Sequence, residues 1–141
     1  MKLLVTTPTD TAVEAEAVRY VLAEDASGAF GIAPRHADLL TTLAICVVRW
    51  RDEHFVEHYV AVRGGVLRVR GGSTVEIVTR EAVVNDDLGL LRSQVISAMV
   101  KSVEAERAAR SDALRLEHAA IRQIYRYLRP ADQPAEKKAR E

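Results

Sequence analysis

Two stretches decide the fold: Gly28-Ala-Phe-Gly-Ile-Ala-Pro-Arg-His-Ala-Asp-Leu-Leu-Thr-Thr-Leu43 and Val62-Arg-Gly-Gly-Val-Leu-Arg-Val69. Both join aliphatic or β-branched residues to glycine, proline or aspartate, which is the chemistry of strands and tight turns. Outward from them, residues 19–24, 39–50, 55–62, 66–69 and 74–79 carry the same β signal. Turn residues separate these runs at 7–10, 25–28, 51–53, 64–65 and 71–72. Several strands with tight turns and no helix between them predict an antiparallel sandwich or barrel over 1–85. Gly64-Gly65, lying between apolar pairs, reads as a hairpin corner.

The pattern changes at Asn85-Asp-Asp87. Asparagine and aspartate cap helix N-termini, and acidic groups suit the positive end of the helix dipole. No proline follows until Pro130, and Gly89 is the one glycine; the intervening residues are rich in Ala, Leu, Arg, Glu and Gln, which predicts helix. Leu88, Leu91, Val95 and Met99 form one apolar stripe, and Leu114, Ile121, Ile124 and Leu128 another. The stripes are two residues out of phase across a polar patch, Lys101 to Asp112. This slip predicts a helical hairpin over 86–129 with Ser111 or Asp112 capping its second helix. From Pro130 to Glu141 the composition predicts a disordered tail.

The chain has 141 residues and a formal net charge of zero. Residues 1–87 carry 9 basic and 13 acidic groups, residues 88–130 carry 8 and 4, and the last eleven balance at 3 and 3. An acidic front and a basic back predict two parts with different partners. The basic part is too sparse and too poor in aromatics to argue for nucleic acid. No apolar run approaches the ~18 residues of a membrane span, and the first eight residues turn polar too soon for a signal peptide. Cys46, the single cysteine, forms no intramolecular disulfide and reads as a small buried strand residue.

Catalytic and ligand-binding patterns give little. His54 and His58 have the spacing that chelates zinc on a helix, but on a strand residues four apart lie ~13 Å apart, too far to share one ion. His36 beside Asp38 has no nucleophile placed near it, and His118 falls among charged helical neighbours. There is no Walker phosphate loop, and neither glycine pair has the strand-to-helix setting of a dinucleotide fingerprint. No catalytic group, cofactor or metal is expected.

The segment Gly28 to Thr41 resembles the Gly–acidic–apolar–Gly–Ile turn and Pro-Gly-His-Ala-Pro-Leu-Leu-Thr run of the epsilon subunits of F-type rotary ATP synthases. Val62 to Val69 matches that family's apolar–x–Gly-Gly–apolar–apolar–x–Val segment, and Ala82 an alanine common after its last strand. Three positions depart: Ala29 replaces the acidic residue, Arg35 the usual glycine and Asp38 the usual second proline. Arg107-Ala108 only partly echoes the nucleotide-binding motif of some members, so no nucleotide site is expected. These departures point to the alternate, N-type bacterial branch.

The resemblance implies a non-catalytic rotor subunit whose sandwich docks on gamma and the membrane c-ring. In that role it couples ion flow to ATP synthesis or hydrolysis, as a peripheral protein on the cytoplasmic face of the bacterial inner membrane. Contact residues toward gamma and the c-ring are then Phe30, Ile32, Arg35, His36 and Asp38, taken as a loop. Arg107, Arg110, Arg115, Arg122 and Arg126 form the basic face of an arm that meets the alpha/beta catalytic head and brakes hydrolysis. The competing reading is a small-ligand-binding β-barrel with a helical oligomerisation arm, which requires an apolar cavity within 1–85.

Overall fold

The computed structural model describes residues 1–128; the tail expected over 130–141 lies outside the described residues. Eight strands come first: β1 (Lys2–Thr6), β2 (Thr11–Ala15), β3 (Tyr20–Asp25), β4 (Gly28–Ile32), β5 (Leu39–Arg51), β6 (Glu57–Arg70), β7 (Thr74–Val78) and β8 (Ala82–Val84). Their order is β2-β1-β7-β6-β5-β3-β4, with β8 also on β6. All pairings are antiparallel except β1 with β7, which is parallel. The sandwich is antiparallel, as expected, apart from this one ladder.

β5 and β6 are long because they serve both layers. β6 pairs with β8 through Val60, Ala61 and Val62, and with β7 from Val66 to Arg70. Between these segments lies Gly64-Gly65, inside the strand and not at a hairpin turn as the sequence suggested. The reason is steric. A Cβ on Gly65, at φ 118°, would fall 2.0 Å from the Val78 carbonyl oxygen, where β7 leaves the sheet. The pair is the corner at which β6 passes from one layer to the other.

The inward face changes phase at the same place. In β5 the buried side chains are Leu43, then Cys46, Val48 and Trp50; in β6 they are Val60 and Val62, then Leu67 and Val69. With Leu3, Val5, Val21, Ile32, Val75 and Ile77 these fill the core between the layers. Burial of such side chains, at roughly 1.5–3 kcal/mol each, is the main force holding the sandwich.

A second, smaller core lies on the outer face. Ala61, Leu91 and Met99 are buried together, flanked by Ile45, Val47, Tyr59, Val83, Val95 and Ile96. The helical segment that supplies Leu91 and Met99 begins as expected. Asp87 is the N-cap, its carboxylate accepting from Leu90 N–H at 3.1 Å. A first turn, α1 (Leu88–Leu90), passes through a π-helical turn, Leu91–Val95, into α2 (Ile96–Leu128).

No second helix forms. α2 is continuous through Ser111 and Asp112, so the expected hairpin is corrected to one long helix. A shift in the apolar stripe changes which face is apolar but breaks no backbone hydrogen bond, and Ala, Glu, Arg and Lys across 101–112 are good helix formers. By packing, the first compact unit comprises Met1–Lys101 and the second begins at Ser102. Leu91 and Met99, which follow the sandwich in the chain, are core residues of this first unit.

Candidate partner interfaces

The expected contact loop is shorter than the sequence suggested. Gly28–Ile32 is strand β4, Ile32 is fully buried, and Phe30 is half-buried against the core. Ile32 therefore offers no surface to a partner, because the strand turns it inward. The exposed part is 33–38. Arg35 and Asp38 are exposed and His36 is half-buried.

This loop is clipped to the β6–β7 turn. Arg35 N–H donates to Gly72 O at 2.9 Å, and Gly71 N–H donates to Asp38 Oδ1 at 2.8 Å. A Cβ on Gly72 would lie 2.6 Å from Arg35 Cα, so the two turns touch backbone to backbone. Arg35 stands at φ 69°, the left-handed region where glycine is at ease and other residues lose roughly 1–2 kcal/mol. Here an arginine bears a geometry that suits glycine. The Asp38 carboxylate, holding the Gly71 N–H, fixes the loop to the neighbouring turn. His36 is turned inward on its own loop, Nδ1 donating to Ala37 O at 2.6 Å.

At the other end of β3, Asp25 accepts from the Ser27 hydroxyl, from Ser27 N–H and from Thr41 Oγ1. These bonds, led by the Ser27 hydroxyl, hold its carboxyl below the usual range. Cys46 is buried as expected, and burial pushes its thiol up.

The five arginines of the arm are all exposed on α2. At about 100° per residue, Arg115, Arg122 and Arg126 share one stripe, whereas Arg110 falls among Leu114, Ile121 and Leu128. The expected single basic face is narrower, because the five spacings do not keep helical phase. Leu114, Leu116, Ile121, Ile124, Tyr125, Tyr127 and Leu128 are exposed on the same segment.

The histidines do not converge. His58 stacks on Trp50, ring centroids 5.3 Å apart, with Nε2 2.8 Å from Asp52 Oδ2, while His54 is exposed beside Glu53. Among the described residues no group of three or more His, Cys, Asp and Glu is placed to hold a metal ion.

One feature was missed from sequence: an open groove of about 520 Å³ on the outer face of β3 and β5, lined by Arg19, Tyr20, Leu22, Arg49, Arg51, Phe55 and Glu57, with Trp50. Register creates it. Tyr20 pairs with Arg51 and Leu22 with Arg49, and Arg51 pairs in turn with Glu57 of β6. Arg51 donates Nε and Nη2 to Glu57 Oε1 at 3.1 and 2.9 Å, and Tyr59 OH donates to Oε2 at 2.9 Å. Arg51 chiefly, then Tyr59, hold the Glu57 carboxyl low, and the Tyr59 phenol is raised in return. The signal available in sequence was Arg49-Trp-Arg51: two arginines at strand spacing share a face. This groove lies outside the core, unlike the apolar cavity a ligand-binding barrel requires.

Fold and surface together define a β-sandwich with a helical arm whose exposed groups suit contact with other proteins. A family model described as ATP synthase, Delta/Epsilon chain, beta-sandwich domain matches residues 1–85. The chain belongs to that family. It is 42% identical over 131 residues, 93% of this chain and 94% of the relative, to the ATP synthase epsilon chain 2 of Paraburkholderia xenovorans. It is 41% identical over 128 residues, 91% of this chain and 88% of the relative, to the ATP synthase epsilon chain 2 of Cereibacter sphaeroides. Among solved structures, a chain of the Euglena gracilis mitochondrial ATP synthase OSCP/F1/c-ring assembly shares the fold. It aligns at TM-score 0.57 and 23% identity over 75% of this chain and 62% of that one.

Proposed function

We propose that the sandwich docks on the gamma subunit and the c-ring of an ATP synthase and turns with them, fixing ring to shaft so that ion flow is coupled to catalysis elsewhere. The chain is an epsilon-type, non-catalytic subunit of the central stalk. The observation that carries the reading is the 42% identity over 93% of the chain, which takes in the helix as well as the sandwich. Both named relatives are a second epsilon chain, which supports an alternate, N-type enzyme.

The loop 33–38 is the contact toward gamma and the c-ring, with Arg35 and Asp38 outward and the backbone clipped to Gly71-Gly72. A rigid loop loses little entropy on binding, which favours this role. Arg115, Arg122 and Arg126 form the stripe of the arm that meets acidic segments of the catalytic head. No helix among the described residues is long and apolar enough to cross a membrane. The protein sits peripherally on the cytoplasmic face of a bacterial plasma membrane, held by its partners.

The test is deletion of this chain followed by purification of the complex from membranes. Loss of ATP-driven ion pumping, with the catalytic head still hydrolysing ATP, is the expected result. Pumping at the undeleted rate overturns the proposal. Charge reversal at Arg115, Arg122 and Arg126 together should raise ATP hydrolysis in an inhibited complex; unchanged hydrolysis removes the arm from the inhibitory role.

A further inference from the structure

We infer that the arginine–aromatic groove between β3, β5 and the 52–56 turn is a docking site for a protein segment bearing an acidic side chain next to an aromatic or aliphatic one. It is a surface separate from the 33–38 loop.

Charge is the first argument. The groove holds three guanidinium groups and one carboxylate. Glu57 is fully engaged, one oxygen by Arg51 and the other by Tyr59. Arg19 and Arg49 make no ion pair among the described residues. Arg49 stands in the middle of the face, paired across the sheet with Leu22 on one side and Tyr59 on the other. Arg19 lies at the rim with its guanidinium 5.1 Å from the Phe55 ring centroid. Two cations in no ion pair among the described residues, Arg19 over the Phe55 ring and Arg49 drawing on Glu57 only through space, suit a carboxylate flanked by apolar surface.

The second argument is independent of charge. Phe55 is 65% exposed and stands at φ 62°, a conformation that bulky residues rarely adopt. The turn is built to keep it there. Asp52 Oδ1 accepts from His54 N–H at 2.8 Å and Val56 N–H at 3.0 Å, and Asp52 O accepts from Phe55 N–H at 3.1 Å. The same carboxylate holds His58, which is stacked on Trp50. Local strain held by surrounding bonds marks sites of function. Here the strain faces a large aromatic ring into solvent beneath an arginine. Tyr20 joins it, its hydroxyl lying over Gly31 of β4, where a Cβ would fall 2.0 Å from the oxygen.

The composition chooses between a protein segment and a small anion. Tyr, Trp, Phe and Arg are the residues that dominate binding energy at protein interfaces. The exposed rings of Tyr20 and Phe55 and the neighbouring Val56 side chain extend beyond the groove itself, giving a surface broader than a phosphate or carboxylate alone would cover.

The experiment uses the full-length chain and a blocked octapeptide of alternating glutamate and phenylalanine, titrated by fluorescence anisotropy. The double substitution Arg19→Gln with Arg49→Gln should weaken binding at least tenfold, and Arg68→Gln with Arg70→Gln, on the other layer, should leave it within twofold. Phe55→Gly is the sharper variant. It relieves the left-handed backbone, so the melting temperature should hold or rise while binding falls at least fivefold. A lysine–phenylalanine octapeptide should not bind. Three results overturn the inference: equal binding by wild type and the groove variants, equal binding of an all-glutamate octapeptide, or binding of ATP at this face with the octapeptide left free.

Discussion

Leu91 and Met99 of the helical segment are buried as completely as the strands' core residues, whereas from Arg107 to Leu128 every residue is exposed. The first region is helical because Ala61, Ile45, Val47, Tyr59 and Val83 present an apolar floor for it. The second is helical through its own composition, with repeated Ala, Arg, Glu and Leu and no breaker from Ile96 to Leu128. One continuous helix therefore obeys two rules. Tertiary packing fixes its start, and local propensity carries the remainder, which exceeds the ~15 residues below which isolated helices are marginal.

The comparison can be broken from the sandwich side first. Gly65→Ala forces a Cβ against the Val78 carbonyl oxygen at a positive φ. It should destabilise the sandwich by about 3 kcal/mol or more through strain and displaced strands, measured by urea denaturation. Helical circular dichroism from the second unit should persist. Next comes a matched pair. Leu91→Ala, at a fully buried position, should cost about 2–4 kcal/mol. Leu116→Ala, at a side chain 73% exposed, should stay within ~0.5 kcal/mol. Similar costs for the two would dissolve the distinction. A cut after Lys101 should likewise leave a folded unit, and a cut after Asp87 should uncover the Ala61 floor and promote association.

How much of this was legible divides by the kind of signal. The strand-rich front, the Asp87 cap and the burial of Cys46 could all be read, because β-branched runs, Asx caps and small apolar residues act locally. The second core had a signal that was not used. Residues 43–48 and 59–62 are apolar almost without interruption, the mark of strands covered on both faces. Gly64-Gly65 misled because a glycine pair serves a hairpin turn and a strand corner equally well. Only the close passage of Val78, a long-range fact, decides between them. Ile32 misled similarly, since the glycines around it suggested a loop where β4 pairs Ile32 with Val21 and turns it inward. In the helix, a phase slip was read as a break although no residue interrupts the backbone. The groove at Arg19, Arg49 and Phe55 depends on register across three chain segments, which sequence alone does not fix.

Two smaller effects sharpen the same contrast. Ala109→Gly, in the propensity-held region, should cost about 1 kcal/mol of local helix stability and leave the sandwich midpoint unmoved. Helicity near 222 nm and urea denaturation read the two separately. Acid acts on the sandwich through Asp52. The hydrogen bond from His58, foremost, holds the folded Asp52 carboxyl below its ordinary value. Its contribution is therefore present above the unfolded pKa of about 4 and is lost as pH falls through the lower folded value. Amide exchange at His54 and Val56 should rise below pH ~4 with the core still protected. Exchange independent of pH after correction for intrinsic rates would remove Asp52 as the organiser of that turn.

The long β5–β6 ladder, which skips Ala44 opposite Gly64, has a mechanical consequence. Because both strands run from one layer into the other and stay paired on either side of the Gly64-Gly65 corner, a load at the 52–56 end is carried in shear through many backbone hydrogen bonds at once. Two sheets joined only by side-chain packing could slip over one another; these cannot without unzipping their shared strands. Such a body twists as a single stiff piece, the property demanded of a coupling fitted between a turning ring and its axle.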